Sequence, residues 1–113
     1  MKMVIAFIPP HRLDRVTRAL EHVVAFPGMT VTESRGFGRE KLEVEAENRR
    51  ASLEEYTETA RIEVVAHDGQ VEGILAAIQD AAHTGQRGDG KVFVLPVDEA
   101  VRIKSGERGE AAV

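Results

Sequence analysis

The segment RIEVVAHDGQVEGILAAI, residues 61–78, changes its apolar period within a few residues and decides the fold class. Its first part, Arg61–Ala66, is rich in β-branched residues and is closed by the turn sequence His67-Asp68-Gly69, which predicts a strand. Its second part repeats apolar residues at helical spacing and ends near Thr84-Gly85, which predicts an amphipathic helix. A strand therefore leads directly into a helix in the second half of the chain.

The same succession occurs in the first half. Met3–Ile8 is an apolar run closed by Pro9-Pro10 and predicts a strand buried on both faces. From Leu13 an apolar stripe continues to Val23, and Phe26-Pro27-Gly28 ends the helix that it predicts.

Two further strands complete the predicted order: Met29–Arg35, which alternates with period two, and Lys91–Pro96. A short alternating tail follows at Ala100–Lys104. The order strand, helix, strand, strand, helix, strand predicts an α+β, ferredoxin-like βαββαβ fold with both helices on one face of an antiparallel sheet. Because two helices cover only one face, we expect the other face to be buried against further copies of the chain.

Composition narrows the class of protein. A chain of 113 residues with 42% hydrophobic residues fits one domain, residues 1–113. A net charge of -4 argues against general binding to nucleic acid, and the absence of cysteine excludes disulfides and thiol catalysis.

No stretch approaches the roughly 20 apolar residues of a membrane span, and Met1–Ile8 is too short for a secretory leader. We expect a cytoplasmic protein that does not insert into the membrane.

The segment at about 38–59 is far longer than a usual connection of ~4 to 6 residues, and such long segments are commonly functional. We expect a long mobile loop there. Alternating apolar and acidic residues at 42–47 favour an extended arm or loose hairpin, whereas Arg50–Tyr56 is also compatible with a helix.

Two glycine-rich turns each end in a cation, at Gly36–Arg39 and at Gly85–Lys91. Glycine lets backbone N–H groups converge on an anion, and Arg or Lys then neutralises it, so the pair predicts phosphate binding. Arg102 and Lys104 are two apart in the alternating tail, which would place them on one face, where they either clamp phosphate or belong to a solvated edge strand. The four histidines show no metal-ligand spacing.

In this order, five segments together resemble the P-II family of nitrogen-regulatory signal-transduction proteins. They are GMTVTE at 28–33, GFGR at 36–39, TG at 84–85, GDGK at 88–91 and RIKSGE at 102–107. The resemblance spans nearly the whole chain. It implies a homotrimer that binds ATP or ADP in the clefts between its subunits and acts on partner proteins through its long loop.

Carried over by position, the resemblance also implies the site residues. The phosphate-facing set lies on one subunit, two cations come from its neighbour, and two residues line the adenine pocket. In that order they are Gly38, Arg39, Gly88, Asp89, Gly90 and Lys91; then Arg102 and Lys104; then Thr30 and Val65. Gly36 is a further nucleotide-binding residue that the resemblance implies.

Some positions depart from the family pattern. The family has Gln at Glu40 and Lys at Thr59, the pair that helps hold magnesium-bound 2-oxoglutarate beside ATP. Glu40 would repel a dicarboxylate unless magnesium offsets the charge, and Thr59 supplies no cation, so we expect 2-oxoglutarate to bind weakly or not at all. Lys104 stands where Arg is usual, and Ser52 stands where some relatives carry a uridylylated Tyr, so we expect no uridylylation.

The resemblance implies a non-enzymatic regulator, with a transporter or a metabolic enzyme as its partner and nitrogen regulation as its role. An alternative is a P-II-like regulator of another transporter, for metal, bicarbonate or another ion, that does not sense 2-oxoglutarate. A second alternative is hydrolysis of acyl phosphates with Arg39 or Arg102 holding the phosphate, although no catalytic triad or carboxylate pair is evident.

Overall fold

The computed structural model describes residues 1–37 and 56–113. In this part of the chain four strands and two α-helices follow the predicted order. They are β1 (Lys2–Ile8), α1 (Leu13–Glu21), β2 (Thr30–Gly36), β3 (Thr57–Ala66), α2 (Val71–Ala82) and β4 (Lys91–Pro96). Over the same residues, none of the helices combines the length and apolar character that crossing a membrane requires.

The four strands form one sheet in the order β2-β3-β1-β4, and every neighbouring pair is antiparallel. Strand β1 is central: Val4 pairs with Val64 of β3 on one side and with Val94 of β4 on the other. This arrangement confirms the ferredoxin-like fold predicted from the sequence.

Side chains alternate between the two faces of the sheet, as strand geometry requires. Val4, Ala6 and Ile8 of β1 are buried, as are Ile62 and Val64 of β3, and all face the helices. The helices complete this core with residues at helical spacing, namely Val16 and Leu20 of α1 and Val71, Ile74, Ile78 and Ala82 of α2.

In the described part of the chain both α-helices pack on this core face, and the opposite face of the sheet carries partly exposed apolar side chains. Phe93 and Leu95 of β4 keep 49% and 43% of their surface exposed, and Phe7 packs edge-to-face on Phe93 with ring centroids 6.4 Å apart. The guanidinium of Arg61 lies over the Phe7 ring, 5.5 Å from its centroid. An apolar face of this kind fits the expectation that further copies of the chain cover it.

The start of β3 and the end of α1 differ from the sequence predictions. Strand β3 begins at Thr57, so residues 57–59, assigned to the long loop, belong to the sheet and pair with β2 as far as Gly36. Helix α1 ends at Glu21, short of Val23. Ala25, in the connection that follows, has a φ of 53°.

The alternating tail at 100–104 is not a strand. The prediction that Arg102 and Lys104 project from the same face of a strand is therefore wrong. Residues 101–108 form what we term the C-terminal hairpin, closed by an isolated bridge between Val101 and Arg108. Within it, Arg102 N–H donates to the Glu107 carbonyl at 2.8 Å and Gly106 N–H to the Arg102 carbonyl at 2.7 Å. A short alternating pattern cannot distinguish an edge strand from a tight turn, because it carries no information on pairing.

Residue 90 lies very close to the backbone at the end of β1. Gly90 has a φ of 103°, and a Cβ built on it would lie 1.8 Å from the carbonyl oxygen of Phe7. Both the backbone conformation and the contact require glycine. This contact seats the segment before β4 against β1.

Replacing Gly90 by Ala should lower the free energy of unfolding by about 3 kcal/mol, because left-handed strain adds to a backbone clash. Gly88→Ala is the matched control: its φ of 87° is similar, but no atom lies within 4 Å of the added Cβ. We expect the control to cost about 1 kcal/mol. Urea unfolding of both variants measures the difference, and equal losses would contradict the close approach.

Candidate functional site

Three of the predicted nucleotide-binding residues meet in a groove at one side of the molecule. Thr30, Val65 and Arg102 line this sheet groove, which has a volume of about 550 Å³. Its remaining lining residues are Met3, Pro27, Gly28, Met29, Glu63, Ala100, Ala112 and Val113. The groove thus brings together a strand pair, the C-terminal hairpin and the end of the described chain.

Three other predicted residues, Asp89, Gly90 and Lys91, line a separate concavity. This turn pocket has a volume of about 420 Å³ and lies between α2 and the start of β4. Its remaining lining residues are Ile8, Leu75, Ile78, Gln79, Ala82, His83 and Val92. Its wall is therefore mainly aliphatic, and its rim is polar.

The two concavities cannot share one small ligand within a single chain. Thr30 lies on β2 and Lys91 on β4, which are the two edges of the sheet. Two strands intervene, so the edges are about 14 Å apart at ~4.8 Å per strand. The six predicted residues that line the concavities are therefore divided between two half-sites, one reaching the β2 edge and one at the β4 edge.

Residues 84–90, which we term the glycine turn, are organised by one carboxylate. Asp89 accepts hydrogen bonds from Thr84 N–H at 2.8 Å and Gly85 N–H at 2.9 Å, and the Thr84 hydroxyl donates to its other oxygen. These bonds, chiefly the one from the Thr84 side chain, lower the pKa of Asp89 to about 2. The carboxylate is therefore ionised at neutral pH and shapes the turn.

The glycine turn is also fixed from outside. The Arg12 guanidinium donates to the His83 carbonyl at 3.2 Å, which ties the turn to the connection between β1 and α1. Gly85 and Gly88 both have positive φ, at 80° and 87°, so the turn needs glycine at these positions. Lys91 follows directly and begins β4 with an exposed side chain.

The two ends of the long loop are joined at the last pairs of β2 and β3. The Ser34 and Thr59 hydroxyls form a hydrogen bond of 2.6 Å, and the rings of Phe37 and Tyr56 meet edge-to-face with centroids 5.9 Å apart. Gly36 lies between these contacts and pairs with Thr57. The predicted residues Gly38, Arg39 and Glu40, like Ser52, lie outside the described residues.

One groove residue was missed by the sequence reasoning. Glu63 lines the sheet groove, pairs with Thr30 across the ladder and accepts a 2.8 Å hydrogen bond from the Arg61 Nε. The sequence contained a signal for it, because Glu63 and Val65 are two residues apart in a strand and therefore lie on the same face. In the part of the chain that the structure describes, no group of three or more His, Asp or Glu side chains is placed to hold a metal ion.

Full-length relatives with this sequence pattern are proteins described as nitrogen regulatory protein P-II. The chain is 48% identical to the one from Azospirillum brasilense, with all of both chains aligned. It is 44% identical to the one from Rhodospirillum rubrum, again over the whole of both chains. Both alignments cover all 113 residues and are not confined to one motif.

Solved structures agree with the sequence relatives. The crystal structure of Arabidopsis thaliana PII bound to citrate superimposes with a TM-score of 0.80 at 35% identity, covering 99% of this chain and 91% of that one. The family model described as nitrogen regulatory protein P-II matches residues 1–107. This is a family of non-enzymatic signalling proteins, so the acyl-phosphate alternative finds no support among the relatives. The chain belongs to the P-II family of nitrogen-regulatory signal-transduction proteins.

Proposed function

We propose that this signal-transduction regulator forms a homotrimer, binds ATP or ADP in the clefts between its subunits and controls partner proteins through its long loop. The observation that carries the proposal is the division of the predicted site between the two edges of one sheet. A ring of copies can bring the β2 edge of one chain to the β4 edge of the next, and each cleft is then complete.

The chemistry of the two half-sites is complementary. The β4 edge offers the glycine turn and Lys91, which suit a polyphosphate. The β2 edge offers an apolar surface at Val65 beside the polar groups of Thr30 and Glu63, which suits a nucleoside, and Arg102 at its margin suits the phosphates. The Arabidopsis relative crystallised with citrate, a polyvalent anion, and this supports anion binding by the fold.

Asp89 has an indirect part in this proposal. Its carboxylate is already occupied by Thr84 and Gly85, and its negative charge would repel a phosphate at close range. Its role is to hold the glycine turn in the shape that presents backbone N–H groups and Lys91 to the ligand. Magnesium would accompany the nucleotide, with Glu40 as a candidate ligand.

The bound nucleotide would affect the partner by changing the conformation of the loop, starting at the base of the loop. Gly36 ends β2 at the loop base, and Gly38 and Arg39, which continue the chain, belong to the proposed phosphate set. ATP and ADP bias the loop only to the extent that their affinities for its conformations differ. The partner would be a transporter or a metabolic enzyme of nitrogen metabolism, and the regulator would bind it in the cytoplasm.

The alternative is a regulator of a different transporter, for metal, bicarbonate or another ion, and the favouring observation is at Thr59. This residue replaces the lysine of the family pattern, and its hydroxyl is bound to Ser34. A protein that retains the nucleotide cleft and lacks this cation would respond to nucleotides without responding to 2-oxoglutarate.

Mixed trimers test the shared cleft. Lys91→Met and Arg102→Met should each weaken ADP binding at least about tenfold, because each removes a phosphate-binding charge. When the two variants assemble at random in equal amounts, about a quarter of the clefts combine a native Lys91 from one chain with a native Arg102 from its neighbour. Calorimetry should therefore show tight ADP binding at about a quarter of the sites. Arg18→Met, on the exposed face of α1, is the control. If the mixed trimers bound ADP no more tightly than the single variants, Lys91 and Arg102 of the same chain would have to act on one ligand, and the shared cleft would be wrong.

Hydrogen exchange tests the coupling to the loop. Exchange across residues 39–59 should differ between the ADP-bound and the ATP-bound protein, because the two ligands place different charge at the loop base. Helix α1, residues 13–21, should show no difference and serves as the internal reference. Identical exchange across the loop with both nucleotides would remove this mechanism.

The 2-oxoglutarate prediction is tested by calorimetry on the protein loaded with ATP and magnesium. We expect no micromolar binding by the wild type, and a gain in affinity in the double variant Glu40→Gln/Thr59→Lys, which removes an anion and adds a cation. Glu40→Gln/Glu58→Lys is the matched control, since position 58 projects to the other face of β3. Micromolar affinity in the wild type would contradict the prediction.

A further inference from the structure

Ile103 is an apolar residue that the single chain leaves almost wholly in solvent. Its side chain is 98% exposed, more than any other large hydrophobic residue of the described part. It lies in the C-terminal hairpin, which is held by the two backbone hydrogen bonds described above and by the Ser105 hydroxyl, which donates to Glu107 at 3.0 Å. The hairpin therefore presents Ile103 on an ordered support, and such a residue is typical of an interface.

The turn pocket offers an apolar surface of suitable size. Its wall is formed by Ile8, Leu75, Ile78, Ala82 and Val92, and its volume of about 420 Å³ exceeds that of one isoleucine side chain. Val92 and Leu75 are only partly buried, although both pack against the core. Burial of their remaining apolar surface would stabilise whatever occupies the pocket.

The two features are brought together by the shared cleft. Lys91 lines the turn pocket, and Arg102 and Lys104 immediately flank Ile103. If cations on both sides of Ile103 reach phosphates held by Lys91 of another copy, the hairpin must lie beside that copy's turn pocket. The ionised Asp89 carboxylate lines the same pocket and attracts the cationic hairpin.

We propose that Ile103 of one copy inserts into the turn pocket of the next, so that the C-terminal hairpin links adjacent subunits through an apolar contact as well as through the ligand. The occupant of the pocket is thus a second copy of this chain. The inference rests on the proposed function, because it places the hairpin at the cleft that the two half-sites form.

The absence of cysteine in the chain permits a direct test by disulfide trapping. Cysteine pairs bridge only when their Cα atoms lie within about 7 Å. The double variants Ile103→Cys/Leu75→Cys and Ile103→Cys/Gln79→Cys, oxidised in the trimeric state, should give covalent dimers and trimers on a non-reducing gel. Ile103→Cys/Val24→Cys is the matched control: Val24 is 86% exposed, lies beside Gln70 just before α2 and does not line the pocket, so no ladder is expected.

A second variant separates this inference from the proposed function. Ile103→Ser should raise the trimer dissociation constant at least about tenfold in analytical ultracentrifugation, and Ile103→Val should restore it, because only apolar burial is changed. A wild-type trimer that binds ADP, together with absent crosslinks and an unaffected Ile103→Ser variant, would overturn the inference alone. A monomeric wild type would overturn both.

Discussion

The central position of β1 is the constraint on which the rest of the structure depends. Because β1 pairs with β3 on one side and β4 on the other, it holds the two halves of the chain in one sheet. Its alternating side chains bury Val4, Ala6 and Ile8 beneath the helices and turn Met3, Ile5 and Phe7 to the uncovered face. A slip by one residue would exchange these two sets, so the register fixes which residues form the core and which lie on the opposite face.

The same constraint makes the candidate site incomplete in one chain. With β1 and β3 between them, the β2 edge and the β4 edge cannot approach each other. The glycine turn is seated at the end of β1 by the contact between Gly90 and Phe7, which sets Lys91 at the opening of the turn pocket. Arg102, in contrast, is placed at the other edge by the C-terminal hairpin. Under the proposed function, assembly would therefore be a condition for nucleotide binding, because only a second copy can complete the cleft.

Much of the fold followed from hydrophobic periodicity, which reports how residues are divided between core and solvent. The bounds of β4, Lys91–Pro96, were predicted as observed, because both of its ends carry clear turn signals. The first residues of β3 were missed since Thr57-Glu58-Thr59 is polar, and only pairing with β2 makes it a strand. The tail was misread because alternation at 100–104 does not reveal the bridge between Val101 and Arg108.

The candidate site was less accessible to sequence reasoning than the fold. Glycine and cationic residues indicate anion binding by their chemistry, whereas their division between two sheet edges depends on strand order, which spacing alone does not give. Asp89 illustrates the limit. The sequence placed it among groups that face phosphate, and the structure shows that its carboxylate is engaged by Thr84 and Gly85. Local hydrogen bonding of this kind becomes visible only in coordinates.

The base of the long loop is held by the sheet. The ladder between β2 and β3 continues to the pair Gly36 and Thr57, and the hydrogen bond between Ser34 and Thr59 joins the two strands just before it. A ligand bound at the foot of the loop, as we propose, would act on ends that the sheet already holds together. It could not alter the register of β2 and β3 without breaking these contacts, so its differential affinity would be expressed in the residues beyond Gly36. In the proposed function, the fixed base would let the difference in phosphate charge between ATP and ADP bias the loop.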